Sequence, residues 1–106
     1  MRAGALTISA GRIHGMAKKL IIGGRVQGVF CRNYCSQYAR KMGLGGSASN
    51  MHDGTVRVIL STDDDELIKE FIQFLKTNPY NYTFYGRIER VEVLDYSGPV
   101  SGDYVF

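Results

Sequence analysis

The stretch GGRVQGVFCR, Gly23 to Arg32, sets three glycines between an apolar run and a segment whose apolar residues recur every three to four positions. A chain that changes period there must turn from strand to helix within a few residues. Side chains alternate along a strand, whereas in a helix they share a face at i, i+3 and i+4. Upstream, AKKLIIGG reads as a short strand that ends where Gly23 and Gly24 break the pattern. Downstream, Phe30, Cys31, Tyr34, Cys35, Tyr38, Ala39 and Met42 supply a helical stripe that Gly43 can stop. The glycine loop therefore opens a helix, and its N–H groups point into one concavity where the helix dipole adds positive potential. Anions bind such places.

LGGSASN is a weaker strand, followed by a turn in MHDG around Asp53 and Gly54. TVRVILS alternates with Val56, Val58 and Leu60 on one face, so a hairpin is predicted. Thr62 is the expected cap of a second helix. Asp63, Asp64, Asp65 and Glu66 suit its positive end, and Leu67, Ile68, Phe71, Ile72 and Leu75 form its buried stripe. TNPYNYTFYG is a loop by its Pro79 and Gly86. RIERVEVLDY returns to strand character, with a bulge or late start where the step from Ile88 to Val91 breaks the alternation. A last short strand falls near DYVF. The order strand, helix, strand, strand, helix, strand predicts an α+β fold, a ferredoxin-like split βαβ sandwich with two helices on one face of an antiparallel sheet.

With 106 residues, 44% of them apolar, the chain holds material for one core. Residues 17–106 are assigned to that domain and residues 1–16 to a flexible extension with two arginines and no acid. No window approaches the roughly 18 apolar residues of a membrane span. The net charge of +3 conceals an asymmetry, since no Asp or Glu precedes Asp53. The basic first half attracts anions, whether nucleic acid, an acidic surface or a small phosphorylated ligand. Two cysteines, Cys31 and Cys35, suggest a reducing compartment, and the cytoplasm is the expected location. No metal is expected, because His14 and His52 lie apart from any paired spacing.

Near the loop, Gly28 lacks the Cβ that would keep an oxygen-rich group from the backbone, and Arg32 offers a planar fork for two phosphate oxygens. The string is neither a Walker loop nor GxGxxG. GRVQGV, with Arg32 after two further residues, resembles the signature of the acylphosphatase family, and the resemblance covers about residues 18 to 106. Asn50, eighteen positions after Arg32 and just before HDG, matches a second feature of that family.

The resemblance implies hydrolysis of the carboxyl–phosphate bond of small acyl phosphates. Arg32 and the amides of Arg25, Val26, Gln27, Gly28, Val29 and Phe30 would hold the phosphoryl group, and Asn50 would orient the attacking water. It implies no metal, no cofactor and no covalent intermediate. Phosphate or sulfate is expected to fit the same cradle, and a monomer with neither nucleic-acid nor membrane partners is expected.

Two positions depart from the family pattern, which has Phe where Cys31 stands and an aromatic residue where Ser47 stands. The second would remove an apolar contact of about 1.5–3 kcal/mol if buried. Two other readings compete. One is a nucleic-acid-binding module of the same topology, although TVRVILS lacks the stacking aromatics of an RNP1 string. The other is a phosphate-binding domain of this family with little turnover.

Overall fold

The computed structural model describes residues 17–106, so the reading of residues 1–16 as an extension lies outside the described residues. The elements are β1 (Ala17–Arg25), α1 (Cys31–Lys41), β2 (Gly46–Asn50), β3 (Val56–Leu60), α2 (Asp65–Thr77), β4 (Arg87–Tyr96) and β5 (Tyr104–Val105). The sheet runs β4-β1-β3-β2-β5, and every neighbouring pair is antiparallel. Leu20 and Ile22 of β1, Ala48 of β2 and Val56, Val58 and Leu60 of β3 turn one sheet face into a single buried cluster with both helices. Tyr34, Tyr38 and Ala39 meet it from α1, and Ile68, Phe71 and Leu75 from α2. This is the expected α+β, ferredoxin-like arrangement.

Three local expectations are corrected. First, β1 does not end at its glycines but continues to Arg25. Gly24, at φ +129°, lies where a Cβ would collide with the Arg87 carbonyl oxygen, so glycine here permits close pairing instead of breaking the strand. The predicted irregularity in β4 is the other side of that contact. Gly23 pairs with Arg90 and Gly24 with Ile88, which leaves Glu89 as the extra residue of a bulge.

Second, Phe30 does not join the helical stripe. It is the residue before α1, left-handed at φ 69° and ψ 23°, and its ring is exposed. Third, the cap of α2 is Asp64, not Thr62. Asp64 is the extended residue before the helix, and its Oδ1 accepts from the N–H groups of Glu66 at 2.9 Å and Leu67 at 3.3 Å. Thr62 acts one step earlier, its Oγ1 accepting from Asp64 N–H at 3.1 Å.

The aromatic loop after α2 packs under the helix ends. Tyr34 donates its hydroxyl hydrogen to the Leu75 carbonyl at 2.7 Å, and Tyr38 donates to Asn78 Oδ1 at 2.6 Å. Burial pushes the Tyr34 and Tyr38 phenols above the ordinary tyrosine range, so both stay protonated donors. Asp64→Ala removes the one oxygen that accepts both capping hydrogen bonds and is expected to lower unfolding free energy by about 1 kcal/mol. Urea denaturation read by circular dichroism measures the loss; an unchanged midpoint would show that the cap contributes nothing.

Candidate anion cradle at the start of the first helix

Strand β1 delivers the chain to the start of α1 through Val26–Phe30, and two left-handed residues shape that turn. Gly28 sits at φ +75° with nothing within 4 Å of a would-be Cβ. No neighbour demands a glycine there; the backbone angle does, and the space beside it stays open. Phe30 supplies the second left-handed position and has no side-chain acceptor to offer the helix.

Helix α1 therefore begins with no side-chain cap hydrogen bond and no acid in its first turn. Its leading N–H groups lack intrahelical acceptors, as in any helix. In α2 the same need is met by Asp64, with Asp65 and Glu66 in the first turn. In α1 it is left facing a hollow of about 300 Å³ lined by Val26, Gly28, Phe30, Cys31, Arg32, Asn33, Asn50 and Tyr104.

Arg32 stands in the first turn of α1 with its side chain 40% exposed. Asn50 is the last residue of β2. Helix start and strand end thus bring Arg32 and Asn50 to one hollow, together with Val26, Gly28 and Phe30.

The side chains of the other loop residues named from sequence do not line this hollow. Gln27 braces the loop, its Nε2 donating to the carbonyls of Met51 at 2.7 Å and Thr55 at 2.8 Å across the β2–β3 turn. Val29 is buried in the core, and its carbonyl accepts from Tyr85 N–H at 3.1 Å. Arg25 lines a different hollow with Tyr85, Gly86, Arg87 and Glu89.

Asp103 is the residue that sequence reasoning missed. Its Oδ2 accepts from Asn50 N–H at 3.0 Å and lies 3.4 Å from the Arg32 guanidinium. A strap, residues 97–103, carries it there across the sheet face opposite the helices. Ser47 and Ser49 alternate with the core-facing Ala48 and so point to that face. Ser47 Oγ donates to the Ser101 carbonyl at 3.0 Å, and Asp103 N–H donates to Ser49 Oγ at 3.0 Å. Gly102 passes so close that a Cβ would collide with Ser49 Oγ. Ser47 is buried and bonded under this strap, so its small side chain makes room for a polar crossing and leaves no apolar void. Nothing local in the sequence links an acid at 103 with Arg32. The pairing of Ala48 with Tyr104 and of Ser47 with Val105 is what joins them.

Tyr104 closes one wall, donating to Asn33 Oδ1 at 3.1 Å. The nearby Ser36 hydroxyl, and after it Arg40, hold its phenol below the usual tyrosine range. Cys31 and Cys35 are free and buried, with their sulfurs 4.0 Å apart. That contact and burial raise the Cys35 thiol well above the usual cysteine range, so it is no ready nucleophile. Among the described residues, no three His, Cys, Asp or Glu side chains gather as a ligand set.

An antiparallel sheet backed by two helices, with an uncapped helix start open beside an arginine, makes a small α+β sandwich whose hollow suits an anion. The acylphosphatase family profile matches residues 18–103. An acylphosphatase from Caldanaerobacter subterraneus subsp. tengcongensis is 41% identical over 74% of this chain and 84% of that protein. One from Dehalococcoides mccartyi is 31% identical over 71% of this chain and 78% of that protein. The crystal structure of acylphosphatase from Bacillus subtilis shares the fold with a TM-score of 0.64, covering 79% of this chain and 88% of that one at 24% identity. The chain belongs to the acylphosphatase family. The nucleic-acid-binding reading is not favoured by these relatives.

Gly102→Ala is expected to unseat the strap at a cost of about 1–3 kcal/mol, as overpacking usually does. Hydrogen exchange at Asp103 N–H should accelerate in this variant. Exchange as slow as in the parent would mean that the strap accommodates the methyl group.

Proposed function

We propose that this protein hydrolyses the carboxyl–phosphate bond of small acyl phosphates to a carboxylate and inorganic phosphate. The observation that carries the reading is the shared hollow, in a chain of this family, of an open helix start, Arg32 and Asn50. Arg32 and the N–H groups of the 25–30 loop hold the phosphoryl oxygens, and inorganic phosphate or sulfate occupies the same cradle. The Asn50 carboxamide orients a water for attack on phosphorus. As the water oxygen bonds to phosphorus, the bond from phosphorus to the acyl oxygen breaks, and the water's proton passes to the phosphate product or to solvent.

The leaving carboxylate has a pKa near that of an ordinary side-chain carboxyl, about 4, so it departs without a proton. What remains for the protein is placement and stabilisation of charge on the equatorial oxygens, which fixed amides and a guanidinium supply without rearranging. The proposed step uses no metal, cofactor or covalent intermediate. Every group comes from one chain, so a monomer suffices, and neither nucleic acid nor membrane takes part. Two free thiols suit a reducing cytoplasm.

The test is an assay in chelator-treated buffer with benzoyl phosphate beside phenyl phosphate, a monoester with a far more basic leaving group. Hydrolysis of the first alone is expected. Arg32→Ala should lower kcat/KM at least 100- to 1,000-fold, roughly the effect of losing one preorganised donor or more, with the fold intact by circular dichroism. Asn50→Ala should reduce kcat more than it weakens phosphate binding. An Arg32→Ala protein that turns over benzoyl phosphate at the parent rate would overturn the assignment.

A further inference from the structure

Phe30, on the wall of the cradle, meets Tyr85, which lines the neighbouring hollow, and the proposed hydrolysis uses neither ring. Phe30 is 59% exposed and Tyr85 is 69% exposed, with ring centroids 5.7 Å apart and planes tilted by 51°. Core packing explains neither ring. Phe30 also holds the left-handed conformation that residues with a Cβ disfavour, and this keeps its ring outside the helix and on the wall of the hollow.

Tyr85 is held beside it by its neighbours. Phe84 stacks on Tyr34 with centroids 4.5 Å apart and planes at 11°, which anchors the segment from below. Tyr85 N–H donates to the Val29 carbonyl at 3.1 Å. Gly86 approaches the loop so closely that a Cβ would collide with the Arg25 carbonyl oxygen. These ties fix residues 84–86 to the cradle loop and leave the Tyr85 ring in solvent. Arg25 and Arg87 beside it share their hollow with Glu89, so the rim is mixed in charge and the rings are its discriminating feature.

We infer that Phe30 and Tyr85 form a subsite for the acyl part of the substrate, favouring acyl phosphates with a planar aromatic acyl group. The inference rests on the proposed hydrolysis. With the phosphoryl group in the cradle, the acyl carbon projects toward the mouth, where Phe30 belongs to both the hollow and the ring pair. An aryl group there gains offset or edge-to-face contact with two rings, whereas a methyl group does not reach them.

The experiment compares kcat/KM for benzoyl phosphate and acetyl phosphate in the parent, Tyr85→Ala and Tyr85→Phe proteins. Taking the benzoyl-to-acetyl ratio within each protein, and comparing ratios between proteins, cancels the intrinsic reactivity of the two acyl phosphates. Tyr85→Ala is expected to lower that ratio by about 2- to 10-fold, through KM for benzoyl phosphate, and Tyr85→Phe to retain it. A ratio unchanged in Tyr85→Ala, with both compounds still hydrolysed, overturns the subsite and leaves the hydrolysis standing. Hydrolysis of neither compound by the parent overturns both.

Discussion

The start of helix α1 has N–H groups that its own chain leaves without a cap, and the site is organised around that unmet need. Donors at an open helix start beside a hollow are free to meet an anion, and the helix dipole favours one there. The chain produces that open start by a chain of small choices. A glycine at 24 lets β1 run past the sheet's bulge, a glycine at 28 turns the backbone with a positive φ, and Phe30 occupies the cap position without an acceptor. Gln27 then pins the loop to the β2–β3 turn, so the donors are fixed before any ligand arrives. Helix α2, capped by Asp64, shows that the same fold satisfies a helix start internally elsewhere.

The strap ties Arg32 to the end of β2. One oxygen of Asp103 is shared between the Arg32 guanidinium and the Asn50 amide, which couples the helix start to the end of β2. At 3.4 Å and with both side chains partly exposed, the ion pair is of the weak kind. A phosphate dianion presenting two oxygens to the guanidinium fork makes the stronger contact. Asp103 can therefore orient Arg32 without retaining it against a ligand. The small residues at 47, 49 and 102 are what let the strap cross, so Ser47 and the placement of Asp103 belong together.

Much of this was legible in the sequence because it is local. The change of period across the glycines, the alternation of Val56, Val58 and Leu60, the broken step before Val91 and the spacing of Arg32 and Asn50 all depend on near neighbours. They sufficed for the element order, the sheet class and the hollow's two principal side chains. The misreadings have a common cause, which is that a backbone angle or a distant partner decided the matter. Gly24 looked like a strand end because its pairing partner lies on β4. Phe30 fitted the helical repeat, yet its left-handed φ puts it outside. Thr62 and Asp64 are both good cap residues, and only the extended conformation at Asp64 separates them. Asp103 reaches the site through sheet register, which no short motif encodes.

The central claim is that the donors at the start of α1 and the Arg32 guanidinium enclose one tetrahedral anion. Titration of the 15N-labelled protein with inorganic phosphate, followed by 1H–15N correlation spectra, tests it most directly. The account predicts saturable shifts concentrated at the amides of Gly28 to Arg32 and at the Arg32 Nε, with Glu66 and Leu67 at the capped start of α2 unmoved. Shifts scattered over the basic surface, with those loop amides silent, would contradict it.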